Sequence, residues 1–119
     1  MKKNVALFAA LTVTSLASLG APHVAKADEI APWPGTTVAQ LQSPDSRPCS
    51  FFRLTGIDKA SNAARVSPWF SINSNKSGYK EMVSVLITAL ATGKSVSVTT
   101  TGGIDNACGE AEVVRVFIQ

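Results

Sequence analysis

Apolar and polar positions divide the chain into one uncharged opening run and a series of short alternating segments. Residues 5–19 are mainly Val, Ala, Leu, Phe, Thr and Ser, with no charged side chain. Residues 28–48 then carry Pro32, Pro34, Pro44 and Pro48, with Gly35 among them. Proline removes an amide donor and biases its predecessor to extended forms, so this stretch reads as a mostly irregular arm. Within it, TTVAQLQ (36–42) makes a brief strand or a turn of helix, ended by Ser43-Pro44-Asp45. From Cys49 a period of two takes over. Phe52 and Leu54 share one face of a strand over 49–57, while Phe51, Arg53, Thr55 and Ile57 share the other. Gly56 marks a bend in that strand. The polar DKASNAA segment (58–64) is a loop, and 65–72 is a second strand region entered through Pro68.

The spacing predicts a helix over 78–92. Tyr79, Met82, Val83, Leu86 and Leu90 recur at helical intervals, widened by Val85, Ile87 and Ala89, against a narrower polar stripe of Glu81, Ser84 and Thr88. Ser77 or Gly78 caps its start, and Gly93 is placed to end it. Residues 95–101 alternate cleanly, with Val96, Val98 and Thr100 on one side, as a half-exposed strand does. Gly102-Gly103 and Asp105-Asn106 mark a turn. The last strand, 110–119, is apolar on both faces, as expected of a strand that is central in its sheet or covered by a partner.

The predicted order is β-β-α-β-β with a bent first strand. A helix inserted before the last two strands is the chain order of a small oligonucleotide/oligosaccharide-binding barrel. A sheet with one covering helix in another α+β topology is the alternative. Cys49 and Cys108 are the only cysteines, which predicts one disulfide stapling the domain.

The opening run changes the reading of charge. Met1-Lys2-Lys3, the apolar segment and Ala25-Lys26-Ala27 have the layout of a secretory signal peptide cleaved after Ala27. The organisation expected is therefore a removed signal (1–27), a proline-rich arm (28–48) and a domain (49–119). Export through the Sec pathway to the periplasm or beyond suits a disulfide. The whole chain is formally +3, but Lys2, Lys3 and Lys26 belong to the signal, so residues 28–119 hold eight cations against eight acids. That balance removes the electrostatic argument for nucleic acid. The one histidine, His23, also falls in the signal. Without imidazole, Ser-His-Asp and Cys-His chemistry and histidine metal sites are excluded. No catalytic residue, metal ligand, cofactor or membrane span is expected, and the chain reads as a non-enzyme.

Several of these residues together resemble a known family. Cys49 in the first strand, Pro68-Trp69-Phe70 opening another and Ala89-Leu90-Ala91-Thr92-Gly93-Lys94-Ser95-Val96 closing the helix are three parts of the likeness. Cys108 and the valine-rich final strand complete it. Over 49–118 this resembles the B subunit of subtilase cytotoxin and small secreted homologues that lack an evident A subunit. The resemblance implies the oligosaccharide-binding fold, a ring of five copies, recognition of sialylated glycans and an A-type partner subunit. The glycan-binding residues expected here are Ser50, Phe51 and Trp69, with hydroxyls bonding the sugar and an aromatic ring stacking on it. Phe51, Trp69 and Tyr79 each read as core residues before ligand-facing ones. A structural or protein-interaction role in the periplasm or at the cell surface, with no small ligand, is the alternative function.

Overall fold

The computed structural model describes residues 28–32, 34–42, 44–61 and 67–119. The signal segment, Trp33 of the arm and the Arg65-Val66 opening of the second strand region lie outside the described residues. The elements are β1 (Asp28–Ile30), β2 (Thr36–Gln42), β3 (Cys49–Leu54), β4 (Phe70–Asn73), α1 (Tyr79–Thr92), β5 (Ser95–Ile104) and β6 (Ala111–Ile118). The chain is mainly β, with six strands in one sheet, one helix among the described residues and one disulfide.

Pairing starts as an antiparallel meander, β2 with β3 and β3 with β4. β4 then pairs with β6 in parallel, through Phe70–Ala111 and Ser71–Glu112. β5 pairs antiparallel with β6 along most of its length, and its other side takes β2 at Thr36 and Thr37 and β1 at Asp28 to Ile30. The interior is built from inward positions of these strands. Phe52 and Phe70 stack with ring centroids 5.0 Å apart, beside Ile72, Val96, Val98 and Val113. Met82, Leu86 and Ala89 of α1 pack on this cluster. Gly78 and Gly93 flank the helix in left-handed conformations, which glycine adopts without penalty.

Four expectations change. The arm is not mostly irregular: β2 sits between β5 and β3 in the sheet. Its prolines stand outside the strand, and Ala39 is an extra residue between the pairs Val38–Leu54 and Gln40–Arg53. That bulge breaks the period of two in β2, which pairs with β5 through Thr36 and Thr37 and with β3 along the rest, while β3 lies between β2 and β4. β3 ends at Leu54, and Gly56 belongs to the turn after it with φ 76°. β5 is covered on both faces, because Ser97 receives a hydrogen bond from Gln119 Nε2 and Thr99 one from Arg115 Nη2. Gly102-Gly103 is no turn but part of β5, where two extra residues fall between the pairs Thr100–Val113 and Ile104–Ala111. The turn comes later, over 105–109, where Asp105 accepts from the amides of Ala107 and Cys108.

A third bulge, on β6, explains the last strand. Thr99 pairs with Arg115 and Thr100 with Val113, leaving Val114 extra. The phase of the strand flips there, so Val113 and Val116 both turn inward while Val114 and Phe117 face solvent.

Candidate functional site

β3 has two unlike faces. Phe52 and Leu54 belong to the main core, while Cys49 and Phe51 join Cys108 and the partly buried Trp69 in a separate cluster. The disulfide Cys49–Cys108 joins β3 to the β5–β6 turn with 5.8 Å between Cα atoms, as expected from the sequence. Closing so long a loop restricts the unfolded chain by about 4 kcal/mol on the chain-entropy model.

Arginines complete this outer face. The Arg47 guanidinium lies 4.3 Å from the Phe51 ring centroid and donates from Nη1 to the Cys108 carbonyl at 2.9 Å. Arg47 also pairs with Asp45 at 2.7 Å. That hydrogen bond, with one from the Arg47 amide, pulls the Asp45 carboxyl down to about 2. Arg53 lies 5.7 Å from the Trp69 ring centroid, the cross-strand neighbour its pairing register dictates. Its Nε is buried and has no hydrogen-bond partner among the described residues. Ser67 Oγ donates to Glu110 Oε2 at 2.6 Å and accepts from the Trp69 amide.

The same face continues along β4, where Trp69, Ser71 and Asn73 alternate with the core residues Phe70 and Ile72. Beside Ser71 on β6 stands Glu112, between the inward Ala111 and Val113. Asn73, Asn75, Lys76, Asp105 and Glu112 line a hollow of about 250 Å³. Asn73 Oδ1 already accepts from the Asn75 amide, and Asp105 Oδ1 from its own turn. Among the described residues the Glu112 carboxylate and the Lys76 ammonium take part in no side-chain hydrogen bond or ion pair.

Of the three residues expected from the sequence, Phe51 and Trp69 come together on this face, and Ser50 does not. Phe51 is buried under Arg47 and forms the floor of the cluster, which leaves Trp69 as the aromatic surface. Ser50 points to the other side of β3, where its hydroxyl meets that of Tyr79 at 2.7 Å. Sequence reasoning did not single out Arg47, Arg53, Glu110 or the hollow. Arg53 was within reach, because it alternates with Phe51. The hollow was not, because it depends on the parallel pairing of two strands far apart in the chain.

Among the described residues no group of three or more His, Cys, Asp or Glu side chains is placed to hold a metal ion. No helix among them is long and apolar enough to cross a membrane. Comparison with protein-family models, curated proteins and solved structures gives no match.

Proposed function

We propose that this chain is an exported, non-enzymatic binding module that takes an oligosaccharide on the outer face of β3, β4 and β6. The observation that carries the reading is Trp69 on the same face as the polar hollow. Sugars need both: an apolar ring face to stack on, and carboxylates and amides to bond hydroxyls.

The strand pairings support the same reading. Read as a ring, they run β2–β3–β4–β6–β5 and back to β2, with the helix between β4 and β5. This order supports a reading as a small oligonucleotide/oligosaccharide-binding barrel. Such barrels use the face of their second and third strands, flanked by the first and fourth loops. On this reading those parts are β3, β4 and the segments 44–48 and 105–110, which Arg47 and the disulfide tie together. The face mixes Arg47, Arg53 and Lys76 with Asp45, Asp105, Glu110 and Glu112. Mixed charge of this kind builds no channel for phosphates, which favours a sugar over a nucleic acid.

A glycan array with purified, oxidised protein tests the proposal. Binding is expected, and Trp69→Ala should weaken it about tenfold, the loss of one aromatic contact of roughly 1–1.5 kcal/mol. A folded protein that binds no glycan overturns it.

One observation favours a second reading, assembly with copies of itself or another envelope protein. Val114 and Phe117 of β6 are 43% and 41% exposed, and Ile87 and Leu90 of α1 are 53% and 44% exposed. The likeness to the B subunit of subtilase cytotoxin would make this a ring of five with an A-type partner. Light scattering decides: a mass of five copies supports the ring, and a monomer at micromolar concentration removes it.

A further inference from the structure

Opposite the sugar face, between α1 and the β2–β3 corner, lies a cleft of about 420 Å³. Leu41, Pro44, Val83 and Ile87 form its apolar walls, Ser50 and Tyr79 contribute hydroxyls, and the Gln42 amide stands at its rim. No charged side chain among the described residues lines it. This volume falls within the range of small-molecule sites, and apolar walls with a few convergent polar groups are their usual make-up.

The two hydroxyls leave something over. Ser50 is only 3% exposed, and its Oγ lies 2.7 Å from the Tyr79 hydroxyl. Two hydroxyls carry two O–H donors, and a single bond between them uses one. Among the described residues no acceptor takes the other. The donor left over faces the edge of the cleft, where an acceptor from outside the chain can take it.

We infer that this cleft is a second binding site, for a small uncharged molecule with an apolar body and a carbonyl or ether oxygen. The walls exclude water from the body, and the remaining O–H of the Ser50–Tyr79 pair bonds the oxygen. Either hydroxyl can be the one that donates outward, so removing one leaves the other to take its place. The site is independent of the sugar reading, since none of its residues lies on the face of Trp69.

Acetophenone is a suitable probe, followed by amide shifts of the full chain in ¹H–¹⁵N spectra. Saturable shifts are expected around Ser50, Tyr79, Val83 and Ile87, in Trp69→Ala as well as in the parent chain. The double variant Ser50→Ala, Tyr79→Phe should bind about five- to tenfold more weakly, the usual value of one hydrogen bond. Ethylbenzene, which lacks the oxygen, should lose as much against the unaltered protein, and this comparison stands even if the double variant does not fold. Shifts that stay linear to the solubility limit, or equal affinity for acetophenone and ethylbenzene, overturn the inference. Loss of acetophenone binding in Trp69→Ala alone would move the site to the sugar face and also overturn it.

Discussion

The two faces of β3 are held by different physics. Inward, Phe52 and Leu54 meet Phe70, Ile72 and α1, and the contact is apolar burial with close packing. Outward, no second layer of secondary structure among the described residues lies over Phe51. A disulfide, an arginine lying on the ring and a partly exposed tryptophan cover it instead. A domain this small has one interior to fill, and the face left over is closed by covalent and cationic contacts. The covering groups are polar or half-exposed, so that same face is available to a ligand, whereas the inner face is not.

The comparison breaks most easily from the inside. Phe52→Ala should cost about 3–5 kcal/mol in urea unfolding, because it removes a fully buried ring and leaves a cavity beside Phe70. Removing both sulfurs in Cys49→Ala, Cys108→Ala should cost less, about 2–4 kcal/mol, acting mainly on the unfolded chain. The double variant should keep the native β-sheet spectrum at low temperature. A larger loss from the disulfide than from Phe52 would reverse the division of labour between the faces.

The acid response is a finer probe of the outer cover. Asp45 is held at about 2 by Arg47, well below its ordinary 3.8. Its anion is favoured in the folded state, so this contribution is complete above about pH 4 and fades as the pH falls toward 2. Titration of the Asp45 carboxyl carbon should show the low midpoint, returning toward the ordinary value in Arg47→Ala. An unchanged midpoint in that variant removes Arg47 as the cause. The smallest effect is expected at Ile87, whose replacement by Asp should shift stability by no more than about 0.5 kcal/mol, since the side chain faces solvent. A loss of several kcal/mol there would mean that a partner covers the helix.

What the sequence made legible follows from locality. The helix was readable because its apolar period, its first-turn acid and its closing glycine all lie within a few residues. The disulfide was readable because two cysteines leave one pairing. β2 was legible only as a strand or a turn of helix over 36–42, because its period is broken at Ala39 by a bulge that only the partner strand defines. Gly102-Gly103 misled for the same reason, since a glycine pair suits a bulge as well as a turn. The helix stripe was drawn too wide, as Leu90 lies outside the buried line of Met82, Leu86 and Ala89. Phe51 and Trp69 could be nominated as aromatic residues near strand ends. That Phe51 would be the floor and Trp69 the surface depends on Arg47 and Cys108, the second far along the chain.

The face of Trp69 carries the functional account, and a single fluorescence titration tests it. The chain has two tryptophans, so Trp33→Phe leaves Trp69 as the only one. Titrating that variant with an oligosaccharide that scores on the array should shift the emission saturably, at the concentration where binding occurs. Binding that saturates while the Trp69 emission stays fixed would contradict the account.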